Sequence, residues 1–538
     1  MLYRFLRGAI VAALLGLASA SAIGAPQPGP PPEPRFDRLR ALEWAPFAQS
    51  FGALSDERAA AIDALLRKAT ILDVQEAMKP GQGEALTSEQ LTLFFLSRIR
   101  QHDERLHTYV ELNPAALDEA RASDTRRRAG ALRGPLDGIP VSVKDNIETA
   151  APMRTTAGAE ILLDNVAAKD APLVAQLRAQ GAVILGKANL SEFAGVITFG
   201  PMNGGFSAVG GETVNPHGHY PSSGSSSGSA AGVAALLSMV SVGTETSGSL
   251  IGPSGWNGLV GMKPSRGLVN GEGVVPLVRY NDSAGPVGRS VTDVAVLLDA
   301  IDTATVNYAS GLRAEALDGV TVGMLNRDIA ASPENTPLLQ GVSASLLALG
   351  ARVRPAELAL TSDWGNNATF LTYLSGGIRH DMMPYVAARA RAVKTVEDLV
   401  AYNAAEPRRR IPSGQDLLAM LAPASAQMSA ADYAAFAARL RRAATGILES
   451  AFRKTGAKVL VSIGTAHSPL YATAGYPAIT VPLGLRVKGG VVEPPGVSSL
   501  GMPAGVTFIG KPGDDARLLA YAYAFEQATN LRVQPELR

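Results

Sequence analysis

The chain has 538 residues, of which 46% are hydrophobic and 18% are charged, an ordinary globular composition with enough length for a sizeable core. Its formal net charge of +1 gives no reason to expect nucleic acid or an anionic membrane surface as a partner. The absence of cysteine excludes disulfide bonds and a lipidated cysteine, so the core alone must hold the fold.

The first 25 residues are predicted to be a secretory signal peptide. Arg4 and Arg7 precede an apolar run over residues 8–17, and mostly small residues fill positions 18–25. This run is too short for a comfortable membrane span, although an uncleaved anchor is the alternative. Residues 26–35 are proline-rich, which is typical of an extended spacer. We therefore expect an exported protein, periplasmic or secreted, with no stable membrane span after cleavage.

The next part of the chain predicts an α/β fold. Residues 36–130 have mostly helical patterns, and Thr87 with Gln90 forms a capping box. Residues 136–144 then alternate between apolar and other positions, which predicts a strand that carries Lys144 at its end. Helix and strand patterns alternate after residue 170, and that alternation favours α/β architecture.

The second half adds a helical segment before the strands return. Residues 360–455 are rich in alanine and arginine and poor in glycine, which predicts a helical insert or cap. Three further strands and a final helix are predicted over residues 459–463, 478–481, 504–509 and 515–529.

Two loops rich in serine and glycine flank an alanine-rich helix and a short strand. The order is loop, helix, strand and loop, over residues 224–229, 230–237, 239–242 and 243–249. A ten-residue helix rises roughly 15 Å, and a five-residue strand spans about 16 Å. If the two run antiparallel, the chain returns to its starting end, so Ser225 and Ser249 are expected to be neighbours.

These residue types suit nucleophilic catalysis. A serine hydroxyl is a poor nucleophile until a base takes its proton, and Lys144 is a candidate base if burial lowers its pKa. The backbone N–H groups just before Ser249 can converge on one point, as an oxyanion hole requires.

Two other interpretations of these serine and histidine residues must be considered: a nucleophile elbow and a metal site. Residues 224–228 also fit a nucleophile elbow with Ser226 attacking, but residues 215–221 before it have a loop pattern. An elbow also needs an acid and then a histidine downstream, and only His380 and His467 qualify by position. The pair formed by His217 and His219 lacks a carboxylate or cysteine at ligand spacing, so we expect solvent exposure and no metal.

Several motifs together resemble those of the amidase signature hydrolases, with the bacterial peptide amidase branch as the best match. The resemblance covers most of the mature chain. It lies in residues 134–146, the two serine loops, and residues 258–264, 282–286 and 474–482.

This resemblance implies one α/β domain over residues 36–538, with a central mixed, twisted sheet covered by helices and a helical N-terminal arm. It implies a Ser–cisSer–Lys triad in which Ser249 is the nucleophile, Ser225 the bridging serine after a cis peptide bond, and Lys144 the base. The implied oxyanion donors lie on the backbone of Thr246, Ser247 and Gly248. The implied reaction is hydrolysis of a linear carboxamide to an acid and ammonia or an amine, without metal or organic cofactor.

Two residues depart from the family pattern at the nucleophile. The family often has Gly-Gly-Ser-Ile-Arg there, whereas this chain has Ser247 in place of the first glycine and Ile251 in place of the arginine. That arginine would pair an acid at Glu245, so the departures leave the substrate subclass open among peptide C-terminal amides, aryl acylamides and aliphatic amides.

Two further functions belong to the same resemblance. The fold also serves as the glutamine-hydrolysing subunit of tRNA-dependent transamidation, which works with protein partners in the cytoplasm, and the export signal argues against it. A catalytically inactive binding protein is the other alternative. The oligomeric state stays open.

Overall fold

The computed structural model describes residues 38–80, 84–199, 204–218, 220–304, 306–325, 335–362, 364, 367–426, 428–485 and 501–537. The predicted signal peptide (residues 1–25), the spacer (residues 26–35) and His219 lie outside these residues, so those predictions stay untested. Over the described ranges, the helices are all too short or too polar to cross a bilayer.

Eleven strands of the described chain form one mixed sheet, and two short strands form a separate hairpin. In chain order the strands are β1 (Tyr109–Leu112), β2 (Pro140–Lys144), β3 (Val183–Ala188), β4 (Phe206–Ser207), β5 (Gly211–Glu212), β6 (Val240–Glu245), β7 (Val260–Lys263), β8 (Ser283–Gly288), β9 (Thr321–Leu325), β10 (Arg352–Ala356), β11 (Val459–Ile463), β12 (Ala478–Leu485) and β13 (Pro503–Ile509). The spatial order in the large sheet is β1-β3-β2-β6-β8-β7-β12-β13-β11-β9-β10, so β1 and β10 are its edges.

Helices cover both faces of this sheet. In chain order they are α1 (Asp56–Leu66), α2 (Ile71–Ala77), α3 (Ser88–Leu106), α4 (Ala116–Arg128), α5 (Pro172–Ala179), α6 (Ser227–Ala234), α7 (Ile251–Trp256), α8 (Val291–Ile301), α9 (Asn335–Ala348), α10 (Asn367–Gly377), α11 (Met383–Arg389), α12 (Val396–Ala405), α13 (Pro407–Arg410), α14 (Asp416–Ala426), α15 (Ala430–Thr455), α16 (Ser468–Ala474) and α17 (Asp515–Thr529). The predicted α/β class, with a mixed central sheet and a helical N-terminal region, is confirmed.

The centre of the sheet determines where the candidate residues meet. Strand β2 pairs in parallel with β6, and Val143 lies opposite Val242. The carboxyl ends of parallel strands reach the same edge of a sheet, so the end of β2 and the end of β6 are side by side. All positions of both strands are buried, because helices cover the sheet on both faces.

Three local expectations differ from the structure. Residues 109–112 lie in the stretch expected to be mostly helical, yet they form β1 and pair antiparallel with β3. The helix after the first serine loop begins and ends three residues earlier than the expected 230–237, over Ser227–Ala234. Strand β6 continues to Glu245, so the first three residues of the expected second loop belong to the sheet.

The helices over residues 367–455, which we call the cap, contribute most of an apolar cluster that also includes buried residues within 157–197 and 275–278. Tyr373, Met382, Leu418 and Tyr433 are among its fully or nearly fully buried members. A π-helical turn, Ile378–Met382, separates α10 from α11. The cap thus has a packed interior distinct from the main cluster around the sheet.

Candidate active site

Lys144 ends β2 with its side chain fully buried. Its Nζ donates to the Ser225 hydroxyl at 2.8 Å and to the Thr244 hydroxyl at 2.9 Å. Asn146 Nδ2 also donates to the Thr244 hydroxyl, at 3.0 Å. The parallel pairing of β2 and β6 brings Thr244 to the amine, so the sheet itself builds the surroundings of this lysine.

The electrostatic setting favours an uncharged amine near neutral pH. Burial lowers the pKa of the Lys144 amine to about 7, and the negative charges of Asp282 and Glu245 oppose that fall. No carboxylate oxygen lies within ion-pair distance of Nζ in the described part of the chain. Lys144 therefore has the environment expected of a general base.

Ser225 is fixed by its backbone as well as by Lys144. The peptide bond between Gly224 and Ser225 is cis. The Ser225 carbonyl accepts from the Ser191 N–H at 3.0 Å, and the residue is 2% exposed. The predicted contact between Ser225 and Lys144 is therefore present, with the hydroxyl oxygen facing the amine.

Ser249 lies beside the first serine loop, as the helix and strand lengths predict. The Ser226 N–H donates to the Ser249 carbonyl at 3.2 Å, which joins the two loops. Ser249 is 8% exposed, and its hydroxyl makes no hydrogen bond within the described ranges. The structure thus joins Lys144 to Ser225 by a side-chain hydrogen bond, and Ser249 to the same loop through the backbone.

The residues predicted as oxyanion donors form a turn between β6 and α7. Gly248 has a φ of +82°, a conformation that side chains rarely adopt, and an added Cβ would lie 2.9 Å from the Ser468 hydroxyl oxygen. Within the described chain, the backbone N–H groups of Thr246, Ser247 and Gly248 have no hydrogen-bond acceptor. Unused donors next to a candidate nucleophile are what an oxyanion hole needs.

Side chains from other elements hold this turn in place. The Thr246 hydroxyl donates to Asp282 Oδ1 at 2.5 Å, and Asn281 Nδ2 donates to the Thr246 carbonyl at 3.3 Å. The Ser247 hydroxyl donates to the Ser468 hydroxyl at 3.3 Å. The side chain at position 247, which departs from the family glycine, therefore points to α16.

Glu245, the acid that the family's arginine would pair, has backbone partners on one of its two oxygens. Its Oε2 accepts from the N–H groups of Leu250 and Ile251 at 2.9 and 3.1 Å. Both donors belong to the start of α7, directly after Ser249. The carboxylate therefore ties the end of β6 to the segment that follows the candidate nucleophile.

The nucleophile-elbow hypothesis finds no support in the contacts of Ser226. This side chain is fully buried, donates to the Thr244 carbonyl at 2.9 Å and accepts from the Thr244 N–H at 3.2 Å. His380 contacts the Met428 carbonyl and His467 pairs with the Ser462 hydroxyl, both at 2.8 Å. Ser226 therefore has a structural role in joining α6 to β6.

The solvent exposure predicted for His217 is wrong. The ring is half-buried, and its Nε2 lies 3.1 Å from the Asn257 carbonyl. Burial lowers the pKa of His217 to about 4. The neutral imidazole can donate a hydrogen bond to this loop carbonyl, so the position of His217 has a structural explanation that does not need a metal.

Sequence reasoning missed Thr244, Asn281 and Asp282. Thr244 lies inside the second serine loop, residues 243–249, so the predicted closeness of the two loops was a usable signal for its contact. Asp282 begins the motif of residues 282–286 and Asn281 directly precedes it, but no local pattern predicts that either contacts a turn more than thirty residues earlier.

Comparisons with known proteins show what the chain as a whole is similar to. The model of the amidase family matches residues 90–519. A probable amidase of Arabidopsis thaliana is 33% identical over 491 residues, covering 88% of this chain and 92% of that protein. In the glutamyl-tRNA(Gln) amidotransferase of Moorella thermoacetica, one subunit is 31% identical over 494 residues, covering 84% of this chain and 96% of its own length. The structure of native peptide amidase from Stenotrophomonas maltophilia is 34% identical, covers 87% of this chain and 99% of its own, and superimposes with a TM-score of 0.78.

Proposed function

This chain belongs to the amidase family and is a hydrolase of carboxamides, and we propose that it works through a Ser–Ser–Lys acyl-enzyme mechanism. Ser249 is the nucleophile, Ser225 carries the proton and Lys144 is the terminal base. The single observation that carries the proposal is the 2.8 Å hydrogen bond between the buried Lys144 amine and the Ser225 hydroxyl, one loop away from Ser249.

In the acylation half, the Ser249 hydroxyl oxygen attacks the amide carbonyl carbon. Its proton passes to the Ser225 oxygen while the Ser225 proton passes to the neutral Lys144 amine. The negative charge that develops on the carbonyl oxygen meets the unused N–H groups of Thr246, Ser247 and Gly248. The Ser249 hydroxyl, which has no hydrogen bond in the free enzyme, turns to Ser225 when substrate binds.

Acylation is completed when the proton returns along the same path. Protonated Lys144 gives a proton through Ser225 to the leaving nitrogen, which departs as ammonia or an amine. In the second half, water attacks the acyl group on Ser249 and passes a proton through Ser225 to Lys144. As the bond between the acyl carbon and the Ser249 oxygen breaks, that proton returns through Ser225 to the Ser249 oxygen, and the carboxylic acid is released. The relay begins and ends with a neutral lysine, so no external acid or base is consumed.

For the substrate we propose a linear carboxamide, with C-terminal peptide amides as the first class to test. The similarity to a peptide amidase supports that choice. Purified protein is assayed against peptide amides, anilides and free glutamine. Selective hydrolysis of glutamine alone would instead favour the transamidation alternative.

The mechanism is tested by covalent labelling with a fluorophosphonate probe, followed by peptide mass spectrometry. We expect one labelled residue, Ser249, and no labelling in the Ser249→Ala variant. Labelling at Ser226 would revive the elbow hypothesis, and a folded protein that resists labelling would favour the binding protein.

We also propose that the chain is exported, on the strength of its basic and apolar N-terminus. Mass spectrometry of the protein expressed in a bacterial host with an export system is expected to find a new N-terminus close to residue 23 or 26. An intact N-terminus in the cytoplasmic fraction would contradict export.

A further inference from the structure

Residues 277–282, which we call the bridging loop, lie between the cap and the oxyanion turn. The loop precedes β8; Leu277, Val278 and Asn281 are buried, Asn281 fully so, and Arg279 is exposed. On one side it contacts Thr246, and on the other it contacts Tyr373 and Asp381 of the cap. Leu277 and Val278 belong to the same apolar cluster as the cap residues, so the loop joins that cluster to the oxyanion turn.

On the catalytic side, Asn281 fixes one peptide plane. Its Nδ2 donates to the Thr246 carbonyl at 3.3 Å. A peptide unit is planar and trans, so its C=O and N–H point in opposite directions. Holding the Thr246 carbonyl against Asn281 therefore turns the Ser247 N–H away from it, which fixes the direction of one proposed oxyanion donor.

On the cap side, the Asn281 amide is itself held in one orientation. The Tyr373 hydroxyl donates to Asn281 Oδ1 at 3.0 Å, and Nδ2 has a second acceptor in the Thr473 hydroxyl, also at 3.0 Å. A tyrosine hydroxyl that donates to the oxygen leaves only the nitrogen to face Thr246. The cap thus determines which end of the amide meets the turn.

A second contact anchors the loop to the π-helical turn. Asp381 Oδ2 accepts from the Arg279 N–H at 2.9 Å and from the Tyr433 hydroxyl at 2.7 Å. Asp282 in turn accepts from the N–H groups of Leu277 and Val278, at 2.8 and 3.0 Å, which closes the loop on itself. The loop is therefore a rigid connector with its two ends on different parts of the molecule.

We propose that Asn281 is a positioning residue for the oxyanion turn, and that the cap residue Tyr373 sets its orientation. The inference rests on the proposed function, because it concerns the donors that stabilise the tetrahedral intermediate. Asn281 does not touch the substrate. It acts through the Thr246–Ser247 peptide. Because Tyr373 belongs to the cap, the stabilisation of the transition state then depends on the position of the cap relative to the oxyanion turn.

The test compares Asn281→Ala with Tyr373→Phe, using Asn403→Ala as the matched control. Asn403 is a buried cap asparagine that bonds Gln415, away from the bridging loop. We expect Asn281→Ala to lower kcat about 10- to 100-fold, short of the full loss of an oxyanion donor, with KM within about threefold of wild type. Tyr373→Phe keeps the ring and is expected to lose about three- to tenfold. The control is expected to stay within about twofold.

An inhibitor pair separates positioning from a merely structural role. A peptide aldehyde, which forms a tetrahedral oxyanion adduct on the nucleophile, is expected to lose affinity in Asn281→Ala by the same factor as kcat. A competitive amide that stays trigonal is expected to keep its affinity. Equal losses for both inhibitors, or a loss of kcat in Asn403→Ala as large as in Asn281→Ala, would overturn the inference.

Two outcomes keep this inference apart from the proposed function. If wild-type protein labels at Ser249 and Asn281→Ala has wild-type kcat, only the inference fails. If wild-type protein labels elsewhere, the proposed function fails, and the inference with it. Should Asn281→Ala not fold, Tyr373→Phe decides, since unchanged kcat in that variant overturns the role of the cap.

Discussion

Two buried lysines lie at the same end of adjacent parallel strands, and their surroundings differ in kind. Lys144 ends β2, and Lys187 lies on β3 opposite Val143. Both side chains are fully buried, and burial lowers the pKa of each. Because both lysines are equally buried, burial cannot explain a difference in their roles. Any such difference must come from the groups that each amine contacts.

The partners of Lys187 are typical of a structural cation. Its Nζ donates to the carbonyls of Ile147 and Arg154 at 2.7 and 2.9 Å and lies 3.6 Å from Asp145 Oδ1. It also donates to the Thr155 hydroxyl at 2.8 Å. Carbonyl and carboxylate oxygens stabilise an ammonium and have no proton to give it. Lys187 therefore ties together the segment that follows β2.

The two closest acceptors of Lys144 are the hydroxyls of Ser225 and Thr244, its carbonyl contact with Thr244 is longer at 3.4 Å, and it has no ion pair within the described chain. A hydroxyl both accepts and donates, so it can pass a proton as well as receive a hydrogen bond. Both lysines contact hydroxyls, so the sites differ in the carboxylate and the two close carbonyls that stabilise the charged form of Lys187 and are missing from the contacts of Lys144. The following experiments test that distinction, from the largest expected effect to the smallest.

Replacing each lysine is expected to separate activity from stability. Lys144→Ala is expected to lower kcat about 10²- to 10⁴-fold, the usual range for losing a general base, with the fold retained. Lys187→Met leaves the Asp145 carboxylate buried without its cation, so we expect a loss of about 3–5 kcal/mol in the free energy of unfolding. Steady-state kinetics and urea unfolding of both variants provide the measurements. Wild-type turnover in Lys144→Ala would contradict the relay, and unchanged stability in Lys187→Met would contradict the structural cation.

The pH dependence of Ser249 labelling is expected to follow Lys144. Its pKa of about 7 means that the amine is neutral above that pH and gains a proton as the pH falls through it. Since only the neutral amine accepts a proton, the rate is expected to drop about tenfold per pH unit below 7, or roughly 100-fold at pH 5. Labelling rates between pH 5 and 9 test this directly. A flat profile down to pH 5 would remove Lys144 from the relay.

In the Asp282→Asn variant, the fall in the Ser249 labelling rate is expected to begin at a lower pH than in the wild type. The Asp282 charge raises the pKa of Lys144, so its removal lets burial lower that pKa further. The shift is expected to be small, because burial raises the pKa of Asp282 to about 7 and its charge is lost over the same pH range. Asparagine keeps an oxygen for the loop N–H groups, and its NH2 group then faces the Thr246 hydroxyl, which accepts where it donated before. The control is Glu272→Gln, an exposed acid paired with Lys169, which should leave the midpoint unchanged. If the labelling rate of Asp282→Asn instead began to fall at a higher pH than in the wild type, the electrostatic account would be contradicted.

Ser226→Ala is expected to have the smallest effect on activity. It removes a hydroxyl whose two hydrogen bonds both go to the Thr244 backbone, so the free energy of unfolding should fall by about 1–3 kcal/mol. Labelling of Ser249 should persist in the folded variant, whereas Ser225→Ala should lose most of it. A folded Ser226→Ala protein that cannot be labelled would restore the elbow hypothesis.

Much of the fold around the site was predictable because the relevant signals are local. The alternation over residues 136–144 predicts a strand that ends in Lys144, and the strand is present as Pro140–Lys144. The lengths of the helix and strand between the serine loops predict that Ser225 and Ser249 are close, and the Ser226–Ser249 backbone hydrogen bond agrees. The spacing of apolar residues and the length of a helix or strand depend on a few neighbouring residues, so both can be predicted without knowledge of the rest of the chain.

What could not be predicted depends on residues that are distant in sequence. Strand β1 has only four residues between two helices, and it becomes a strand by pairing with β3 some 75 residues later. Glycine and threonine at positions 243 and 244 favour a loop locally, yet pairing with β8 keeps them in the sheet. Asn281 and Lys187 carried no local signal, because their partners come from separate loops.

The edge strand β10 has a consequence for self-association. Arg352, Arg354 and Pro355 are exposed there, and among the described strands β10 pairs only with β9. A strand added by a second copy would bring arginine side chains together and find no N–H at the proline, which disfavours β-aggregation along this edge. The long sheet that the relay requires thus ends in a strand that resists fibrillar growth.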